Sequence, residues 1–430
     1  MTKFISDVLS VGVSKILFII FGASTSIVIS RVLGPENIGI ITTLLVYPSL
    51  IITIGSLGIR QSATYFLGNN IFPEDEIKTA ITQIWLLTTA FSIAVCFLLM
   101  RNLSNSGENI WYVILALAPL PFTLFNTYNS GIFLGQNKIR VFNKINWIPA
   151  LIIFLITCVL VLYLSFDISG YLIALIGGPL FYSVILLFKH KFLNAFSLKY
   201  NWTIIKRMLS LGLVYGLALL IINLNYKIDV ILLDNLSTPF ETGIYSRGVI
   251  ITEYLWHIPM LLSTVIFARS AVSKDGEAFS LKVAQLLRLS IVIICFAAAI
   301  LYLFSRFIII LMYGEAFEGS VMVLNALLPG VLLLTVFKVA NMDLSGKGKP
   351  WVSIKAMIPA LIVNVILNVI FIPEYGAVGA ALASTISYSI AAILFLFFYS
   401  TETQISISDL IILKKTDLKP FFQILNNLKG

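Results

Sequence analysis

Twelve continuous runs of roughly 20 apolar residues constrain this chain more than any other feature. Crossing a hydrocarbon layer of about 30 Å takes about 20 residues of helix. Backbone N–H and C=O groups left unpaired in hydrocarbon cost several kcal/mol, so each run has to be helical. The runs fall at 10–30, 38–60, 80–100, 110–133, 146–165, 170–188, 209–234, 244–267, 284–304, 320–341, 354–372 and 377–399. A barrel would show short alternating segments instead. The expected fold class is an all-α polytopic membrane protein of twelve transmembrane helices. With 59% hydrophobic and 11% charged residues, little chain is left for an extramembrane domain with its own enzymatic chemistry.

The runs are not twelve independent segments, because short motifs recur in register. Gly34-Pro35-Glu36-Asn37-Ile38-Gly39 follows the first run and Thr238-Pro239-Phe240-Glu241-Thr242-Gly243 follows the seventh, with Pro and Gly both displaced by 204 positions. Leu117-Ala118-Pro119 is answered by Leu327-Leu328-Pro329, and Ile148-Pro149-Ala150-Leu151 by Ile358-Pro359-Ala360-Leu361, both at an offset of 210. A duplicated unit of six crossings returns to its starting side, so the copies should be related by an axis along the membrane normal. Two pseudo-symmetric six-helix lobes around a central cavity are therefore expected. They divide as an N-terminal lobe at 1–190, a cytoplasmic linker at 191–207, a C-terminal lobe at 208–400 and a cytoplasmic tail at 401–430. The linker, with Phe192, Phe196 and Trp202, reads as an interfacial amphipathic piece, and the tail run Leu410–Lys415 as a short surface helix.

Charge sets the orientation. Most of the 29 Lys and Arg residues lie in even-numbered connections and at the termini, including Lys138, Arg140, Lys144, Lys189, Lys206, Arg207, Lys347 and Lys349. Positive loops stay in the cytoplasm, so both termini are expected there. The same bias accounts for the net charge of +9 without a nucleic-acid partner. No cleavable signal peptide is expected, because the first apolar run is too long for one. Cys96, Cys158 and Cys295 all lie in apolar runs and read as small buried hydrophobes.

Neither a P-loop, HExxH, a CxxC pair nor GxSxG occurs, so no catalytic residue, cofactor or metal is expected and the chain is not read as an enzyme. What remains are ionisable groups inside the spans, which are costly there and mark function by default. Lys15, Arg60, Lys227 and Arg247 occur in matching segments of the two halves and would make a cationic, substrate-binding lumen for an anionic ligand. The alternative is snorkelling of long basic side chains to the headgroups, most applicable to Arg60 and Arg247. Asp229 and Asp234, with Glu253 and His257 four residues apart, are candidates for ion coupling. Lys227 and Asp234, seven apart, read equally as a structural ion pair or as a pair that ligand opens.

Four stretches in chain order carry a resemblance: Ser30–Gly39, Thr242–Ser246, Gly346–Pro350 and Tyr375–Ala383. Through them the chain resembles the polysaccharide-unit flippases (Wzx type, the O-antigen and exopolysaccharide translocases) of the multidrug/oligosaccharidyl-lipid/polysaccharide exporter superfamily. The resemblance implies a multi-pass protein of the bacterial inner membrane. It would flip an undecaprenyl-pyrophosphate-linked oligosaccharide repeat unit to the outer leaflet by alternating access, for surface polysaccharide biosynthesis. An ion gradient is the implied drive, and partners would be the lipid-linked oligosaccharide, membrane lipids, a polysaccharide polymerase and glycosyltransferases. Competing readings are an organic-cation extruder of the same superfamily, a lipid II flippase, and a membrane-embedded glycan polymerase or ligase. The excess of basic over acidic span residues weighs against the extruder, twelve rather than fourteen helices against the lipid II flippase, and short outer loops against the polymerase.

Overall fold

A computed structural model describes residues 2–136, 138–189, 201–257, 259–260, 266, 270, 276–414 and 417; for 2–11, 139, 140, 143, 211, 214 and 215 it describes the backbone alone. Phe192 and Phe196 of the expected linker lie outside the described residues. Every regular element among the described residues is a helix. Nine helical stretches there are long and apolar enough to span a membrane. Two hold a pair of expected spans each: Gly12–Gly68 turns at Gly34 (φ 74°, ψ 174°) and Trp351–Thr403 at Gly376 (φ 53°, ψ −129°). A side chain at such a positive φ would cost about 1–2 kcal/mol, which glycine avoids. A single residue thus does the work of the loops expected there. The eighth span starts in Pro239–Tyr254 and runs into residues outside the described set. The nine stretches thus hold eleven of the twelve expected helices of an all-α, multi-pass membrane protein, and the described start of the eighth supplies the other.

The chain builds two compact units. The first comprises Met1–Ser246 and Met312–Phe317, the second Arg247–Leu311 and Glu318–Gly430. In the first unit lie α1 (Thr2–Gly55), α2 (Ile59–Gly68), α3 (Glu74–Leu103), α4 (Ile110–Leu117), α5 (Leu120–Gly135), α6 (Ile139–Asn146), α7 (Ile148–Thr157), α8 (Asp167–Lys189), α9 (Trp202–Leu236) and the start of α10 (Pro239–Tyr254). The expected fourth span is broken at Ala118-Pro119 into α4 and α5, and Asn109 Oδ1 caps α4 by accepting from the Trp111 and Tyr112 amides at 3.0 and 3.3 Å. Ile59, Ile81, Phe125, Tyr128, Leu186 and Met208 bring α2, α3, α5, α8 and α9 into one core.

In lipid, apolar packing gains no hydrophobic free energy, so close backbone approach and polar contacts hold the helices together. Tyr128 Oη donates to the Gly55 carbonyl at 2.5 Å, satisfying an acceptor freed where α1 ends. Trp85 Nε1 donates to the Pro121 carbonyl at 2.8 Å, and Asn126 Nδ2 to that of Pro179 at 2.9 Å. The duplicated motif explains the tightest contact. A Cβ on Gly39 would stand 1.7 Å from the Pro239 carbonyl oxygen, and one on Gly243 would stand 1.9 Å from that of Pro35. The two copies meet reciprocally, as self-complementary surfaces do about a two-fold axis. The short piece Met312–Phe317 is strapped to α1 by Arg31 Nε donating to the Met312 carbonyl at 3.1 Å and Ser26 Oγ to Tyr313 Oη at 3.3 Å.

The second unit holds α11 (Gly276–Leu303), most of α12 (Ser305–Tyr313), α13 (Ser320–Gly346), α14 (Trp351–Thr403) and α15 (Ile407–Ile411). Its centre is α13, whose apolar window is 61% buried where no other span exceeds 39%. Phe337 of α13 packs edge-on against Phe395 of α14 with ring centroids 4.8 Å apart. The tail does form a short helix, α15, but it is docked: Leu410 is fully buried, and Arg288 grips Asp417 with both ends of its guanidinium, Nε at 2.6 Å and Nη2 at 2.7 Å.

Candidate functional site

The first unit holds three of the four expected substrate cations. Lys15 is half-buried on α1, its ammonium 5.3 Å from the Phe18 ring centroid. Arg60 is displayed in the first turn of α2, immediately after the break at Ser56–Gly58; its side chain is exposed, yet protein surrounds much of it. Tyr182 of α8 is its electrostatic neighbour, and the Tyr182 hydroxyl is buried without a hydrogen-bond partner among the described residues. Lys227 lies half-buried in the C-terminal third of α9. None of the three forms an ion pair with a described residue. Guanidinium and ammonium groups held this way can bind an anion by charge-assisted hydrogen bonds, which are about twice as strong as neutral ones.

The acids of α9 behave differently. Asp229 has no exposed surface and accepts from Tyr245 Oη at 2.8 Å. Asp234 accepts from Ser104 Oγ at 2.9 Å, the Asn105 amide at 2.9 Å and Ser106 Oγ at 3.2 Å, while Asn105 Nδ2 donates to its carbonyl at 2.6 Å. The carboxylate is thus an anchor for the turn between α3 and α4. The ion pair considered for Lys227 and Asp234 is not formed: seven residues of helix separate them by about 10 Å along the axis, and Asp234 is held by the turn.

The second unit holds Arg247, Glu253 and His257. Arg247 is only 4% exposed and is engaged by neighbouring groups, so it is not an open cation. Glu253 and His257 are both half-buried, with the imidazole 5.8 Å from the Tyr254 ring. The α-helical register ends between them, where Leu255 and Trp256 donate to the Thr252 and Glu253 carbonyls in tighter, three-residue turns. Four residues apart is therefore not one helical face here.

Residues 4–272 match the family described as polysaccharide biosynthesis protein. The chain belongs to that family. Over 397 residues it is 22% identical to the Shigella flexneri protein named "Putative O-antigen transporter", with 86% of this chain and 92% of that one covered. Among solved structures, a multidrug resistance MATE family transporter of the MOP superfamily, in an inward-facing conformation, superposes with a TM-score of 0.74 at 15% identity, covering 90% of this chain and 94% of that one. The lipid II flippase MurJ, in an inward closed conformation, superposes with a TM-score of 0.71 at 15% identity, covering 97% and 96%. At these identities the structural likeness is one of fold. The chain thus shares the fold of these membrane transporters.

Two further polar residues of this family member escaped the sequence reading. Lys338 lies inside α13 with its ammonium 3.9 Å from the Trp256 ring centroid. Asp343, on the same helix, has no exposed surface and accepts from Ser270 Oγ at 2.5 Å, Ser280 Oγ at 2.6 Å, Tyr399 Oη at 2.8 Å and Lys347 Nζ at 3.0 Å. Lys338 carried the signal that singled out Lys15, a charge inside an apolar run, and Asp343, two residues past the same run, carried the i, i+4 spacing with Lys347.

Proposed function

We propose that the protein flips a lipid-linked oligosaccharide whose diphosphate head is carried by Lys15, Arg60 and Lys227. The observation behind this reading is that these three basic groups sit within spans and form no ion pair with any described residue. A charge in a span is tolerated when it has a partner or a water-filled cavity, and a cation without a fixed partner suits a mobile anion. Arg60 adds a forked donor for phosphate, and the Tyr182 hydroxyl beside it can serve a sugar or phosphate oxygen. Arg247 would reach substrate only by giving up its present neighbours.

Transport would follow alternating access between the two six-helix lobes, at 1–190 and 208–400, about the cavity between them, with the lipid tail remaining in the bilayer. Undecaprenyl pyrophosphate is the carrier this reading implies, in a bacterial inner membrane with both termini cytoplasmic. Glycosyltransferases would supply the substrate and a polymerase would consume it. Ion coupling falls to Glu253 and His257, since Asp229 and Asp234 are held by Tyr245 and by the turn at 104–106. The same engagement argues against an organic-cation extruder, which needs carboxylates open to its cavity.

Deleting the gene and probing intact spheroplasts with a membrane-impermeant glycan-modifying reagent tests this reading. Lipid-linked oligosaccharide should accumulate out of the probe's reach. Its normal appearance in the outer leaflet would rule the reading out.

A further inference from the structure

Three spans of the first unit end around one hollow of about 360 Å³: Glu74 opens one span, Gly135 closes a second and Lys189 closes a third. Its walls carry Lys78, Lys138, Lys189, Glu74, Gln136 and Phe133. Lys78 is the buried member, 9% exposed, with its ammonium 2.6 Å from Glu74 Oε1 and 3.8 Å from Asp75 Oδ1. Asp75 itself points to water, its side chain 97% exposed. Three lysines and one carboxylate therefore line the hollow. Lys138 and Lys189 are exposed at its rim.

A second observation concerns Gln136. Its side chain lies beside the Glu74 carboxylate, and its Oε1 is buried with no hydrogen-bond partner among the described residues. A buried acceptor left unpaired is costly, so the site calls for a donor. The ammonium groups call for an anion. One ligand answers both: a phosphate accepting from the lysines, with hydroxyls donating to Gln136 Oε1 and Glu74.

We propose that this hollow binds a phosphate ester bearing free hydroxyls, namely the phosphoglycerol head of an anionic membrane lipid. Depth argues for the lipid source over a soluble one, because the ends of three spans mark the boundary where hydrocarbon gives way to headgroups. None of Lys15, Arg60 and Lys227 lines the hollow, so occupancy is separable from transport.

The test is native mass spectrometry of the purified full chain in neutral detergent with phosphatidylglycerol, phosphatidic acid or phosphatidylcholine added. Phosphatidylglycerol should bind best. Lys138→Gln with Lys189→Gln should weaken it about tenfold, the loss expected for charge-assisted contacts. Lys206→Gln with Lys282→Gln, which changes the net charge equally at exposed positions elsewhere, should not. Gln136→Leu should erase the preference for phosphatidylglycerol over phosphatidic acid, which lacks the hydroxyls. Equal binding by both double variants, or no preference over phosphatidylcholine, would overturn the proposal. Displacement of the lipid by an equal concentration of glycerol 3-phosphate would overturn the lipid source.

Discussion

Three basic residues of the second unit and three in the spans of the first are used in opposite ways. In the second unit Lys347 pairs with Asp343 at 3.0 Å, Lys349 with Glu402 at 2.7 Å, and Arg288 with Asp417 at 2.6 Å. Each of these pairs ties elements together: α11, α13 and α14 through Asp343, α14 to the turn that precedes it through Lys349, and the tail to α11 through Arg288. In the first unit Lys15, Arg60 and Lys227 stand in spans with no ionic partner among the described residues. A buried charge given a fixed partner becomes structure, because removing either partner leaves the other uncompensated. A charge left without one is available to something that comes and goes. The comparison separates residues that hold the fold from those proposed to serve a ligand.

The sharpest way to break the comparison is charge reversal in the first unit. Lys15→Glu and Lys227→Glu should each abolish surface glycan while the protein inserts at normal levels, read by glycan staining alongside an immunoblot. The opposite pattern is expected of Asp343→Ala in the second unit. It leaves Lys347 without its buried partner and should cost about 3–5 kcal/mol, seen as a large fall in thermal stability in detergent.

The tail clamp comes next in size. Asp417→Asn removes the charge from a bidentate pair, and should weaken docking by about 2 kcal/mol, read as protease cleavage of the tail. Hydrogen bonds from Arg288 hold the Asp417 carboxyl below its ordinary range. A depressed carboxylate stabilises above the unfolded value of about 3.9 and loses that contribution as pH falls through the folded value. Docking of the wild-type tail should therefore be unchanged between about pH 5 and 8 and be released only in stronger acid. The smallest effect belongs to Arg306, paired with Glu318 at 2.9 Å but with its side chain 72% exposed. Arg306→Ala should shift stability by no more than about 0.5 kcal/mol.

Much of this molecule can be read from the chain because a membrane leaves the backbone few options. Long apolar runs have to be helices, so the spans follow directly from hydropathy. The repeat is legible for a similar reason: Pro and Gly recur four apart at 35–39 and 239–243, and each glycine admits the other copy's proline carbonyl. Lys15, Arg60 and Lys227 were visible as charges where charge is costly. The partners of the acids were not. Asp234 is held by residues nearly 130 positions away, and Asp417 by Arg288 across 129 positions, so both roles are set by packing that no local pattern encodes. Glu253 and His257 illustrate another limit, because a tightened turn between them undoes the regular spacing on which the inference of a shared face rests.

The most direct measurement is translocation in proteoliposomes of a diphosphate-linked glycolipid, followed by lectin access to the far leaflet. The wild type would be compared with the triple variant Lys15→Gln, Arg60→Gln, Lys227→Gln. The triple variant should keep the thermal stability of the wild type and lose translocation. Translocation at the wild-type rate by the triple variant would contradict the assignment of these residues to the substrate.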